Sequence, residues 1–166
     1  MVKDYYIGEG FEVSTDKLQA LGMIDPYSSA SLEVYRSGKL TSDERLYFTL
    51  WGSRLLEAVI FKPQQPIASI GHSIRDAFFV VRGKGLAVKE NKVHRFGPGA
   101  VIGVAEAIAG MPHSMTFVAV TSIEARKIDV SQIVKQSAKL PNGLKGIVRT
   151  ITMRTLGLTE VPEVLR

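Results

Sequence analysis

A chain of 166 residues is long enough for one domain with a buried core and short for two. Its composition, 45% hydrophobic and 22% charged, is that of a globular protein and excludes wholesale disorder, while a net charge of +5 favours anionic partners only weakly. The absence of cysteine excludes disulfides, thiolate catalysis and cysteine-ligated metal centres, and it predicts a cytoplasmic location.

Residues 1–45 are predicted to form a helical N-terminal segment. Gly22 is placed to end a first short helix, and the Asp25-Pro26 dipeptide signals a turn before the next one. Thr41 is followed three residues later by Glu44, which resembles a capping box. A helix should therefore begin near Thr41 and lead into the main body of the protein.

Residues 46–130 are predicted to form the main body, a mainly β domain with an antiparallel β-roll or jelly-roll architecture. Short segments rich in β-branched and aromatic residues alternate with Gly, Pro and Asn turn signals, as is typical of such folds. Between the fifth and sixth predicted strands, an alanine-rich stretch opens after Gly103 and closes at Gly110, which predicts a short helix inside the barrel. The seven predicted strands are Leu55–Phe61, Pro66–Ile70, Ala77–Val81, Leu86–Lys89, Val93–Phe96, Phe117–Val120 and Glu124–Ile128.

Residues 131–166 are predicted to contain two C-terminal helices, the first over residues 131–139 and the second starting at Pro141. One face of the second helix is apolar and the other is basic, and we expect solvent to cover the basic face. The apolar stripe either covers the barrel or pairs with a second copy in a homodimer, and the sequence leaves both alternatives open. The apolar residues are Leu144, Ile147, Val148, Ile151 and Leu158, and the basic ones are Lys145, Arg149 and Arg154.

No enzymatic or metal site can be assembled from motifs in this sequence. The three histidines, His72, His94 and His113, are far apart and lack the His-x-His spacing of metal-binding jelly rolls. No Gly-x-Ser-x-Gly nucleophile motif occurs, and the Gly83–Gly85 stretch lacks the spacing of a phosphate-binding loop. The sequence therefore predicts that the chain is not an enzyme and holds no metal.

The segment Ile102–Thr116, IGVAEAIAGMPHSMT, resembles the phosphate-binding cassette of the cyclic nucleotide-binding domain family. The family pattern is FGELAL followed by PRxAT, and the matching positions include Gly103, Gly110, Pro112 and Thr116. The upstream stretches FKP, FFVVRG and FGPG also resemble the family, so the resemblance covers about residues 46–158. It implies a β-roll like that of the catabolite-activator sensor domain, with a short cassette helix and two hinge and dimer helices. We refer to Ile102–Thr116 as the cassette.

Two functional positions of the family pattern are altered in this cassette. In the family, a Glu after the first glycine binds the ribose hydroxyl, and an Arg after the proline pairs with the cyclic phosphate. Here Val104 and His113 stand at those positions. Glu106 is expected to lie on a different face of the helix from Val104 and therefore not to replace the missing Glu. The resemblance thus implies weak or absent binding of cAMP and cGMP.

The candidate ligand-binding residues combine the cassette with one neighbouring strand. Backbone N–H groups near Val104 and Ala105 would face an anionic group. His113 either donates to an anion when protonated or is inert, and Arg82 either faces the cavity or is solvated. The candidates are Gly103, Val104, Ala105, His113, Ser114 and Arg82.

The resemblance implies a stand-alone regulatory or sensor domain whose ligand is a cyclic nucleotide, weakly bound, or another small anionic molecule. The alternative is a ligand-free scaffold or protein-interaction module in which Val104 and Met115 fill the pocket. A weaker alternative is a nucleic-acid accessory protein that uses the positive charge. Only eight residues follow Leu158, too few for a helix-turn-helix domain, so direct sequence-specific DNA binding is not expected. Acidic residues near the N-terminus and the shortness of the apolar runs predict neither a signal peptide nor membrane association.

Overall fold

The structure, a computed structural model, describes residues 10–161, 163 and 166, without the side chains of residues 151, 154 and 155. The helices are α1 (Thr15–Ala20), α2 (Ser29–Arg36), α3 (Ser42–Trp51), α4 (Val104–Ala109), α5 (Val130–Ala138) and α6 (Asn142–Leu156). The strands are β1 (Glu57–Phe61), β2 (Pro66–Ala68), β3 (Asp76–Arg82), β4 (Gly85–Lys89), β5 (Lys92–Phe96), β6 (Val101–Ile102), β7 (Thr116–Ala119) and β8 (Ile123–Asp129). Each predicted strand is present, and the short β6 is an addition that the sequence analysis did not contain.

Two four-stranded antiparallel sheets form the barrel, in the orders β1-β8-β3-β6 and β2-β7-β4-β5. The core lies between the sheets, where Val80 of β3 and Ile123 of β8 meet Phe96 of β5 and Phe117 of β7. Phe96 and Phe117 pack edge to face, with ring centroids 5.6 Å apart. This arrangement confirms the mainly β jelly-roll fold predicted from the sequence.

The N-terminal helices cover the outer face of β3. Side chains alternate along a strand, so while Val80 faces the barrel core, Phe79 and Val81 face outward and pack against Tyr47 and Trp51 of α3. This second apolar surface explains why β3 is a continuous apolar run. The division predicted after residue 45 falls within α3, and the helical segment and the barrel share this packed cluster.

The predicted capping box at the start of α3 is confirmed. The Thr41 hydroxyl accepts from the Glu44 backbone N–H at 3.1 Å, and the Glu44 carboxylate accepts from the Thr41 backbone N–H at 2.8 Å. Two more bonds tie this helix to the barrel. The Tyr47 hydroxyl donates to the Val81 carbonyl at 2.6 Å, and the Arg126 guanidinium donates to the Trp51 carbonyl at 2.7 Å.

The cassette helix and the two C-terminal helices are present, but α6 ends at Leu156, so Leu158 of the predicted apolar stripe lies beyond the helix. Helix α4 begins after Gly103 and ends at Gly110, and it packs against both α5 and α6. On α6, Leu144 is 52% exposed and Ile147 is 57% exposed, so these two members of the apolar stripe do not cover the barrel. The side chains of Ile151 and Arg154, also predicted to lie on α6, fall outside the described part of the structure. Within the described residues, no helix is both long and apolar enough to cross a membrane.

Candidate functional site

Gly103 fixes the entry of the chain into the cassette helix. Its φ of 91° lies in the left-handed region, which a residue with a side chain rarely adopts. A Cβ at this position would lie 3.3 Å from Cε1 of His113 and 3.7 Å from Cα of Ala77. Glycine therefore allows α4 to start close to both the imidazole and strand β3.

His113 is buried, at 7% exposure, in the segment between α4 and β7. Its backbone N–H donates to the His72 carbonyl at 3.0 Å, and its carbonyl accepts from the Gly71 N–H at 2.9 Å. These two bonds hold the residue against the loop between β2 and β3. Burial lowers the pKa of the imidazole below its usual value, the nearby Glu106 partly offsets this, and His72 adds to the lowering. His113 is therefore mainly neutral at pH 7.

Glu106 is the one charged side chain of α4, and it is buried, at 5% exposure. Its Oε1 accepts a hydrogen bond from the Ser114 hydroxyl at 2.6 Å. Its Oε2 is also buried and receives no hydrogen bond. The hydrogen bond to Ser114 and the electrostatic coupling to His113 place this carboxylate in the cassette.

The structure brings together five of the six predicted site residues. Gly103, Val104 and Ala105 form the start of α4, Gly103 lies against His113, and Ser114 is bonded to Glu106. Val104 is half-buried, whereas Met115 is buried within the barrel core. The cassette therefore contains neutral His113 and acidic Glu106 in place of the fixed positive charge of the family pattern.

Arg82 does not join the cassette. Its guanidinium lies over the Trp51 ring, 5.1 Å from the centroid, and donates to the Ile24 carbonyl at 3.3 Å. It also lies 3.9 Å from the Glu124 carboxylate, and its side chain is 56% exposed. The register of β3 with β8 shifts between Val80 and Arg82, and the Arg82 side chain makes its contacts with the N-terminal segment.

Glu106 was not among the candidate site residues, because it was expected to lie on a different face of α4 from Val104 and not to replace the family's Glu. That expectation stays a prediction. The structure adds that Ala105, Glu106 and Ala107 are all buried and that Glu106 is bonded to Ser114. The available signal was compositional, since a single acidic residue interrupts an otherwise apolar helix, VAEAIA.

A concave region lies between the N-terminal helices and one end of the barrel, and no cassette residue lines it. It has a volume of about 610 Å³ and is lined by residues that include Tyr47, Trp51, Arg82 and Lys84. Arg82 is held there by the contacts described above. Throughout the described ranges, no group of three or more His, Asp or Glu side chains is placed to hold a metal ion.

Comparisons with known proteins give matches among solved structures. No family model matches the sequence, and no curated protein sequence matches it. The chain is similar to the EAL enzyme Bd1971 in its cAMP-bound form, with a TM-score of 0.53 and 17% identity over 59% of this chain and 28% of that one. The cGMP-bound form of the same enzyme matches with a TM-score of 0.53 and 17% identity, covering 59% of this chain and 27% of that one.

FixK2 from Bradyrhizobium japonicum also matches, with a TM-score of 0.50 and 16% identity over 61% of this chain and 52% of that one. The chain thus spans between about a quarter and a half of the length of these structures. At such low identity, the likeness shows the fold alone. The chain has the jelly-roll fold of cyclic nucleotide-binding domains, as the resemblance of its cassette implied.

Proposed function

We propose that the chain is a regulatory, ligand-sensing domain whose cassette binds a small molecule and passes its occupancy to the C-terminal helices. The observation that carries the proposal is the polar cluster of Glu106, His113 and Ser114 in the cassette, of which Glu106 and His113 are buried. Burying a polar group costs free energy unless the group is hydrogen-bonded. The cost is larger for a carboxylate that has one oxygen without a hydrogen-bond donor. Such a cluster is typical of a binding site rather than of a scaffold core.

The same cluster is poorly suited to a cyclic phosphate. The family pattern supplies a fixed cation, whereas His113 is mainly neutral at pH 7 and Glu106 adds a negative charge. Each lost charge-assisted contact costs about 1.5 to 3 kcal/mol, so two losses would weaken a micromolar ligand to about millimolar. Cyclic nucleotides crystallised with proteins of the same fold are therefore weak ligands at best for this chain.

Coupling to the C-terminal helices follows from the position of α4. This helix carries Glu106 and packs against both α5 and α6. A ligand that shifts α4 therefore changes the surface on which the other two helices rest. Such a packed helix can act as the two-state element that a sensor requires.

Titration with cAMP and with cGMP, followed by amide NMR at pH 7, tests this proposal. We expect dissociation constants of about a millimolar or weaker. As the ligand is added, the amide signals of α6 should shift together with those of the cassette. Low-micromolar binding would contradict the account of the altered cassette, and cassette shifts without any α6 shift would contradict the coupling.

A second candidate function, a protein-interaction module that works as a homodimer, is supported by a different observation. Leu144 and Ile147 are exposed on one face of α6 and lie three residues apart. Apolar side chains exposed at that spacing favour pairing with another helix. This candidate does not exclude ligand sensing, because Leu144 and Ile147 remain exposed while α6 packs against α4.

A further inference from the structure

The Glu106 carboxylate has one oxygen satisfied and one unsatisfied. Oε1 accepts from the Ser114 hydroxyl, while Oε2 is buried and receives no hydrogen bond. A carboxylate accepts hydrogen bonds only, so the missing partner must be an N–H or O–H donor. Ser114, the partner of Oε1, is itself half-buried.

Among the described side chains, no lysine or arginine forms an ion pair with this carboxylate. The carboxylates that do form ion pairs in the described part of the chain are those of Glu44, Glu57 and Glu124, which pair with lysine or arginine. Glu106 forms no such pair with a described side chain, and the pKa of His113, which interacts with it electrostatically, is lowered mainly by burial. A buried carboxylate without a counter-charge is expensive, so a positively charged group is the partner that would stabilise it most.

We propose that the cassette binds a small organic cation of the amine or amidine class through the Glu106 carboxylate, instead of the phosphate for which such cassettes are known. The cation donates to Oε2 and supplies the positive charge that His113 does not provide. A phosphate or carboxylate in the same place would meet Glu106 at short range and be repelled. This inference rests on the proposed function, since it names the ligand class of that site.

Three isosteric probes of different charge test the inference. Acetamidinium, acetamide and acetate have the same shape and carry charges of +1, 0 and −1. We expect acetamidinium to bind to wild-type protein with a dissociation constant in the millimolar range, because four heavy atoms supply little binding energy. Acetamide should bind at least about tenfold more weakly, and acetate should shift no cassette signal. The readout is amide NMR of the cassette during each titration.

Two variants test whether the preference for the cationic probe depends on Glu106. Glu106→Gln keeps the shape and removes the charge, and it should weaken acetamidinium binding about tenfold or more. Glu57→Gln is the matched control, because Glu57 pairs with Lys127 on the surface of the barrel. The control should bind acetamidinium as wild type does. The wild-type comparison of the three probes needs no variant, so the inference is decided even if Glu106→Gln fails to fold.

The possible outcomes separate this inference from the proposed function. Preferential binding of acetate, or equal binding of acetamidinium by wild type and Glu106→Gln, would overturn the cation site while leaving a ligand-sensing cassette. If none of the three probes shifts a cassette signal, the cation site is overturned, while the proposed function is decided by the cAMP and cGMP titrations.

Discussion

At the scale of single residues, Glu106 and His113 are both buried, and the charge of the carboxylate acts on the pKa of the imidazole. Burial lowers the pKa of His113, and the charge of Glu106 partly counteracts that effect. His113, which stands at the position of the family's phosphate-binding Arg, therefore differs from Arg in charge as well as in shape.

Neutralising Glu106 should shift the titration of His113. In Glu106→Gln the charge that raises the pKa of His113 is gone, while burial and His72 still lower it. We therefore expect a lower pKa for His113 in the variant than in wild type. NMR of the imidazole C–H signals between pH 4 and 8 measures both values, with Glu57→Gln as the control. An unchanged or raised pKa would mean that the two groups are not coupled.

His113 should also make the protein less stable in acid. Its pKa is near 6.5 in the unfolded chain and lower in the folded protein, so between the two values the unfolded chain binds more protons. The stability linked to His113 is therefore present above pH 6.5 and is lost as the pH falls through the folded pKa. The slope is at most about 1.4 kcal/mol per pH unit.

Urea unfolding at pH 7.5 and 5.5 measures this contribution. His113→Gln should lose less stability than wild type over that interval, because it has no imidazole to protonate. If His113→Gln follows the wild-type profile, the acid sensitivity comes from other groups.

At the scale of the elements, α3 joins the N-terminal segment to the barrel through one buried hydrogen bond. The Tyr47 hydroxyl donates to the Val81 carbonyl, and burial raises the pKa of Tyr47 to about 12. The phenol therefore remains a donor across the physiological range. Tyr47→Phe should lower the free energy of unfolding by about 1 to 3 kcal/mol, because the Val81 carbonyl is left without this donor.

Chemical denaturation of Tyr47→Phe and wild type measures the loss. Tyr27→Phe is a suitable comparison, because its hydroxyl donates to the Gly52 carbonyl at an exposed site and should matter less. Equal stability of wild type and Tyr47→Phe would show that α3 is held to β3 by apolar packing alone.

Short sequence signals specify most of these elements, and they could be recognised in the sequence. The Thr41–Glu44 capping box starts α3, and the glycines at 103 and 110 delimit α4, because each of these signals acts within a few residues. The environment of α4 was not readable in this way. It depends on α5 and α6, which are distant from much of the barrel in sequence and pack against α4, where Glu106 is buried.

For the whole molecule, assembly through α6 is a prediction that one substitution tests. Ile147 is 57% exposed, so Ile147→Asp should leave the chain folded and convert a dimer into a monomer. Ile60→Asp, at a comparably exposed position on β1, is the control and should leave the dimer intact. Sedimentation velocity of the three proteins measures the assembly state. A monomeric wild type would rule out the α6 dimer.

The overall architecture was predictable from the sequence, while the ligand preference of the cassette was not. Alternating strand patterns and the cassette spacing specify the jelly roll, and the structural comparisons bear out that fold. Substitution of the family's Glu and Arg by Val104 and His113 indicated that contacts to a cyclic nucleotide are missing. What replaces them depends on Ser114 meeting Glu106 eight residues away, a contact that only the folded chain creates.

The measurement that tests the central claim most directly is the affinity for cAMP of two redesigned cassettes. Val104→Glu with His113→Arg restores the family's contacts, but Glu106 would still neutralise the new Arg. Adding Glu106→Ala frees the Arg for the phosphate. Calorimetry should therefore show that the triple variant binds cAMP at least about tenfold more tightly than the double variant, and that wild type binds more weakly than either. Equal affinities of the double and triple variants would contradict the claim that Glu106 determines which ligands the cassette accepts.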